Sequence, residues 1–222
     1  NGFHKIVDIL VERGYDVNRV DEWGSTALMG ACEGGHVDIV KSLLNAGAGD
    51  DYSNGSGMTA LAFAIKYGHV EVVETLLEHN HKIVSKPAFR GTPLMYASDM
   101  GRVALVEMLL ARGAEVDQVD DSNATALIYA SYMGRVAVVE LLLDRHAEID
   151  NADDSGKTAL MYASEKGHVA VVKLLLDRGA EINKVDDVEL LGKSALIWAS
   201  LKGRATVVEL LLARGAKVDQ VD

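Results

Sequence analysis

Residues 153–160 read DDSGKTAL, and the fold turns on whether Gly156, Lys157 and Thr158 end a phosphate-binding loop or open a helix. A phosphate loop needs a leading glycine five residues before the Gly-Lys pair, so that backbone N–H groups can wrap the anion. That position is Asn151 here, and at the second such tail, Gly192-Lys193-Ser194, it is Asp187. Asp153 and Asp154 would also repel a phosphate. The nucleotide reading fails. The same slot recurs instead as WGSTAL ending at Leu28, SGMTAL at Leu61, FRGTPL at Leu94, SNATAL at Leu127, SGKTAL at Leu160 and LGKSAL at Leu196. Thr26, Thr59, Thr92, Thr125 and Thr158 stand 33 residues apart, and Ser194 follows after a three-residue insertion, Val188-Glu189-Leu190. A fixed period of this length signals stacked repeats. The lysine at this slot is then incidental to the pattern, which is a turn, a Thr or Ser, a small residue and Leu.

One repeat, residues 153–185, shows why. Asp153 to Lys157 is a polar turn with Gly156 inside it. Thr158 suits a helix N-cap, because its hydroxyl can accept from the free N–H groups of the first turn. Pro93 after Thr92 fits the first helical position. ALMYASEK is a short helix closed by Gly167, and VAVVKLLLDR is a second helix closed by Gly179. Val171, Val172, Leu175 and Leu176 share one face of the second helix. Such a unit cannot bury its apolar face alone, so identical units stack. The expected fold class is all-α: a solenoid of helix-turn-helix units with projecting, hairpin-like turns. The expected organisation is one domain over residues 1–222, with a partial repeat at 1–20 and full repeats at 21–53, 54–86, 87–119, 120–152, 153–185 and 186–222.

Bulk composition agrees. The chain has 222 residues, of which 49% are hydrophobic and only 5% aromatic, so the core must be aliphatic. A formal net charge of -11 disfavours nucleic acid and anionic membrane surfaces. No apolar run reaches the length of a transmembrane helix, and no signal pattern opens the chain. Cys32 is the single cysteine, so no internal disulfide can form, and an intracellular, cytoplasmic setting is expected.

The stretches GHVDIVKSLLNAGA (35–48), GHVAVVKLLLDRGA (167–180), GRVALVEMLLARGA from Gly101 and GRATVVELLLARGA from Gly203 give the chain its family likeness. It resembles the ankyrin repeat family over essentially its whole length. The histidine that follows T-P-L in that family is replaced by Met29, Ala62, Met95, Ile128, Met161 and Ile197, which exchanges a hydrogen-bonding side chain for packing. His36, His69 and His168 fill the family's Gly-His slot, where a structural hydrogen bond is implied. Asn80 and His146 stand where glycine usually closes the second helix, so a positive φ is expected there. No polar capping repeat closes either end, and the chain is expected to be a segment of a longer protein, or its only ordered part.

The resemblance implies a concave, partner-binding surface made of turn tips and first-helix ends. The residues of this sequence that fall there and form the expected site are Trp23, Glu33, Met58, Lys66, Tyr67, Phe89, Asp99, Met100, Asp121, Tyr132, Met133, Asp154, Lys166, Leu201 and Lys202. Trp23, Tyr67, Phe89, Met100, Tyr132, Met133 and Leu201 are expected to be exposed, as aromatic and methionine anchors of an interface. The pairs Asp120-Asp121, Asp153-Asp154 and Asp186-Asp187 read either as an acidic ridge that selects a basic partner or as a solvated edge. Tyr96, Tyr129, Tyr162 and Trp198 share one slot, explained by packing between repeats. The apolar insertion at 188–190 reads as a contact finger.

Catalytic readings are weak. Gly34 and Gly35 separate Cys32 from His36, and His79, His81 and His146 lack partners at metal-binding spacing. No catalytic residue, metal, cofactor or small-molecule substrate is expected. The function that follows is a protein-interaction scaffold or adaptor. The alternative is a regulatory or targeting segment of a larger enzyme, channel or multisubunit complex.

Overall fold

The structure, a computed structural model, describes residues 3–86, 88, 91–187 and 192–218. Thirteen α-helices occur among them and no sheet. The first is α1 (Phe3–Glu12). Six pairs follow: α2 (Ala27–Glu33) with α3 (Val37–Asn45), α4 (Ala60–Tyr67) with α5 (Val70–His79), α6 (Pro93–Met100) with α7 (Val103–Ala111), α8 (Ala126–Tyr132) with α9 (Val136–Asp144), α10 (Ala159–Lys166) with α11 (Val169–Asp177), and α12 (Ala195–Leu201) with α13 (Ala205–Ala213). The even-numbered, inner helices are short. The tips between pairs are tied by isolated antiparallel bridges such as Val20 to Thr26, Ser53 to Thr59 and Ala152 to Thr158. The chain forms two compact units, residues 1–97 with 104–114 and residues 98–103 with 115–222.

In the first unit α2 packs on α4, while α3 packs on both α1 and α5. In the second, α10 lies between α8 and α12, and α11 between α9 and α13. The cores are the residues the periodicity selects: Leu28, Val40, Leu61, Val73 and Leu76 in one, Leu127, Val139, Leu142, Leu160, Val172 and Leu175 in the other, all fully buried. Fully burying such a side chain contributes about 1.5–3 kcal/mol.

The inner helices begin as the sequence predicts. The hydroxyl oxygens of Thr26, Thr59, Thr92, Thr125 and Thr158 accept from the N–H three residues on, at 3.2–3.4 Å. Each cap is worth about 1 kcal/mol. Two methionines do more than pack: the sulfur atoms of Met29 and Met95 accept the N–H of Thr26 and Thr92, at 3.4 and 3.3 Å. A thioether is a weak acceptor, yet it closes the cap reciprocally.

The turn between paired helices interlocks neighbouring repeats. His69 Nε2 lies 2.9 Å from the Glu33 carbonyl, and His168 Nε2 2.9 Å from that of Tyr132. Arg135 and Arg204 fill the same slot and donate from Nε to the carbonyls of Asp99 and Glu165. The hydrogen bonds expected at the Gly-His slot are thus present at His69 and His168, and arginine reproduces them. Glycine is required beneath these side chains. A Cβ on Gly134, where φ is 71°, would fall 2.7 Å from the His168 ring.

His146 does close α9 with a left-handed backbone, φ 64°. Asn80 does not. Its φ is -143°, and its side chain instead caps a short 3-10 helix, His81–Ser85, by accepting from the Lys82 N–H at 3.1 Å. Asn80 Nδ2 also donates to the buried Asp50. A side chain with two better uses redirects the chain, and the positive φ expected from the pattern is lost.

Candidate interaction surface

Four of the tips are each organised by one side chain. Asp21 Oδ1 accepts from Trp23 and Ser25 N–H, and Asn54 Oδ1 from Ser56 and Met58 N–H. Asp120 and Asp153 repeat the pattern with Ser122 and Ala124, and with Ser155 and Lys157. The tips are also stitched sideways: Gly55 N–H donates to Trp23, Asp154 to Ser122 and Asp187 to Ser155. The first aspartate of each acidic pair is engaged in the fold, Asp186 by accepting the Lys193 N–H. The second, at Asp121, Asp154 and Asp187, stays exposed.

The first unit's inner-helix ends carry Glu33, Lys66 and Tyr67, all exposed. Lys66 Nζ sits 5.3 Å from the Tyr67 ring, which stacks near His69. A hydrogen bond with the Glu33 carboxylate raises the Tyr67 phenol above its ordinary pKa. Trp23 is 68% exposed at its tip. Met58, expected on the partner-binding surface, is 7% exposed and belongs to the core. Phe89 and the insertion at 188–190 lie outside the described residues.

The second unit holds a denser array. The Tyr129 hydroxyl donates to Asp120 at 2.7 Å, the Tyr162 hydroxyl donates to Asp153, and Trp198 Nε1 donates to Asp186 at 2.7 Å. The aromatic slot read as packing thus holds the tip aspartates. Lys157 is not incidental either. Its side chain is only 10% exposed, with Nζ 2.6 Å from Glu165 and 3.5 Å from the centre of the Trp198 ring. The Tyr162 ring lies 4.7 Å from the same ammonium. Lys202 reaches the other Glu165 oxygen at 3.4 Å. Burial pushes the Glu165 carboxyl up, but the hydrogen bonds and charges of Lys157 and then Lys202 outweigh it and hold it below its ordinary value. Burial, then the hydrogen bond to Asp153, drives the Tyr162 phenol far above its usual range.

Lys166 stacks on Tyr132 at 4.2 Å, and Tyr132 meets Tyr162 edge-on at 5.7 Å. Tyr132 is 39% and Leu201 61% exposed. Met100 and Met133 are half-buried, less open than the sequence suggests, and Asp99, next to Met100 in the chain, is half-buried too. Sequence reasoning missed Lys157, Tyr162, Glu165 and Trp198 as one cluster. The signal was present as lysines and aromatics recurring at fixed slots, but which ring each lysine meets depends on the stacking of α8, α10 and α12.

Other candidate features are modest. An apolar pocket of about 120 Å³ in the first unit is lined by Val7, Leu10, Val11, Tyr15, Ala27 and Leu43, among others. Among the described residues no three His, Cys, Asp or Glu side chains converge to hold a metal. No described helix is long and apolar enough to cross a membrane.

Stacked helix pairs with capped inner helices and bridged tips define an all-α, repeat-built class of protein. A family model for ankyrin repeats matches residues 1–87, 94–186 and 146–222, and the chain belongs to that family. It is similar to the crystal structure of the human ASB11 ankyrin repeat domain, with a TM-score of 0.83, 30% identity and coverage of 97% of this chain and 95% of that one. Among curated proteins it is 42% identical over 57 residues to the probable E3 ubiquitin-protein ligase XBOS32 of Oryza sativa subsp. japonica. It is 49% identical over 43 residues to the E3 ubiquitin-protein ligase XBAT33 of Arabidopsis thaliana. These alignments cover 24% and 19% of this chain but only 12% and 8% of the two ligases. Ankyrin repeats are generally protein–protein interaction modules, and the fold is typically non-catalytic.

Proposed function

We propose that this chain is a non-catalytic, intracellular protein-interaction module, and that its partner docks on the tips and inner-helix ends of the units. One observation supports the reading: within each unit, large apolar side chains stay exposed at tips and inner-helix ends although the backbone beneath them is locked. Trp23 rises from a tip held by Asp21 and bonded to its neighbour, and Tyr67, Tyr132 and Leu201 stand at inner-helix ends. Rigid, exposed aromatic anchors cost little entropy on binding and suit interface hot spots. Glu33, Lys66, Asp99, Lys166 and Lys202 supply polar rim contacts around them. Exposed Asp121 and Asp154 favour basic partner side chains at tip level. The net charge of -11 argues against nucleic acid.

A variant carrying Ala at Trp23, Tyr67, Tyr132 and Leu201, checked for folding by circular dichroism, tests this. Captured partners should be lost from the folded variant. Undiminished capture of the same protein places the contact elsewhere and sinks the assignment.

A second reading has its own support. The two curated relatives are ubiquitin ligases, of which this chain matches a small part. On that reading the repeats are the targeting segment of a larger enzyme. Ubiquitin transfer to the captured partner by the full-length product, lost on deleting these repeats, is the expected result. A full-length product without ligase activity sinks it.

A further inference from the structure

We propose that the inner-helix ends of the second unit receive the carboxylates of an acidic, leucine- or aromatic-bearing segment of a partner protein. This rests on the interaction reading above and names the partner's chemistry.

The chain as a whole is acidic, yet cations gather in this one layer. Lys166 is the last residue of α10, Lys202 follows α12, and Arg135 and Arg204 occupy the turns after α8 and α12. None of these four is neutralised one for one. Arg135 and Arg204 each spend Nε on a backbone carbonyl, and no carboxylate pairs with either among the described residues. Lys166 rests on the Tyr132 ring and has no carboxylate partner among the described residues. Lys202 must share Glu165 with Lys157, and the closer contact, 2.6 against 3.4 Å, goes to the buried Lys157. One carboxylate facing two ammonium groups leaves a positive excess, and it falls on the exposed Lys202.

The layer is also pre-arranged. An ammonium held over a ring face is already partly desolvated and fixed, so an arriving carboxylate meets a positioned donor. The helix C-termini carry partial negative charge, which keeps the lysines where they are. Leu201 and Tyr132 supply apolar surface beside the charges. The exposed Asp121 and Asp154 at the tips repel an acidic segment, so its carboxylates are confined to the helix-end layer. The face is therefore bipolar, and its register follows from charge.

The test pans a displayed library of random peptides against the whole chain and against the Lys166→Glu/Lys202→Glu variant, both checked for folding by circular dichroism. Binding of an enriched peptide is then titrated by fluorescence anisotropy at two salt concentrations. The expected result is enrichment of Asp- or Glu-containing peptides with a neighbouring apolar residue, weakened about tenfold or more by the double reversal and by added salt. If the reversal variant is unfolded, Lys166→Gln/Lys202→Gln replaces it, with a loss in the same direction. Acidic peptides that bind both forms equally, or single-stranded DNA bound as tightly as the peptide, would overturn the proposal. Enrichment of Lys- or Arg-rich peptides would overturn it too, while leaving the interaction reading intact. A chain that enriches no peptide at all would overturn both.

Discussion

Replacing His146 with glycine should stabilise the protein. His146 has φ 64°, while the glycines in the same slot, Gly47, Gly113, Gly179 and Gly215, have φ between 86° and 92°. A left-handed backbone costs a side-chain-bearing residue about 1–2 kcal/mol. Glycine removes that strain but gives back about 0.4–1 kcal/mol through the greater freedom of the unfolded chain. At mid-range values the net gain is about 0.8 kcal/mol. No contact is lost in exchange, because His146 is exposed and its ring makes no hydrogen bond or ion pair among the described residues. The reciprocal change, Gly179→His, is the control. A Cβ at Gly179 would meet nothing within 4 Å, so its cost is conformational and not steric. Thermal melts followed by circular dichroism should rise by up to about 4–8 °C for His146→Gly if the second unit melts alone. They should fall by a similar amount for Gly179→His. A neutral Gly179→His together with an unchanged His146→Gly would refute the strain argument, since both rest on the same backbone geometry.

Other outcomes follow from the cluster in the second unit. Trp198→Phe keeps a ring under Lys157 but removes the donor to Asp186, which is 2% exposed; the loss should be about 1–3 kcal/mol in urea denaturation, and an unchanged midpoint would show that the bond contributes nothing. The folded pKa of Glu165 lies below its unfolded value near 4.5, so its stabilisation is fully present above that value and is lost as pH falls through the folded pKa. Glu165→Gln should therefore flatten the acid limb of the stability profile relative to the native chain, and identical limbs would contradict the pairing with Lys157 and Lys202. Cys32 is fully buried, and burial pushes its thiol to about 12, so a thiol reagent at neutral pH should modify it only after unfolding. Fast modification of the folded chain would mean that the first unit opens readily.

The helices were legible because their causes are local. A Thr or Ser cap, a small-residue inner helix, a closing glycine and an aliphatic outer helix recur at a 33-residue spacing, and each step has a nearest-neighbour reason. The failures share a different cause. Asn80 leaves the pattern because its side chain has better partners in Asp50 and Lys82. Met58 falls by its place in the repeat on the expected partner-binding surface, yet it is buried. Lys157 looks incidental in its own repeat. Its meaning lies in Trp198, more than one repeat away. Contacts that cross repeats depend on stacking register, which one repeat's sequence does not carry.

The same crossing contacts decide how the surface can be dissected. Trp198 holds the tip through Asp186 and lies under the Lys157 ammonium, and Tyr162 does both for Asp153 and Lys157. These rings join the proposed binding layer to the tip scaffold, so on that proposal removing one would lower affinity even if it never touched a partner. Lys166, Lys202 and Leu201 lie outside that scaffold: Lys166 has only a ring beneath it, Lys202 has the weaker claim on Glu165, and Leu201 is largely open. Substitutions at Lys166 and Leu201 separate recognition from folding, because they change the charge and apolar area offered to a partner while leaving the capped tips in place; a Lys202 substitution also removes its share of Glu165, so its stability is measured beside its binding. A binding loss confined to Tyr162 and Trp198 variants, with Lys166, Lys202 and Leu201 variants unaffected, would therefore mark a scaffold effect and remove this layer from the interface.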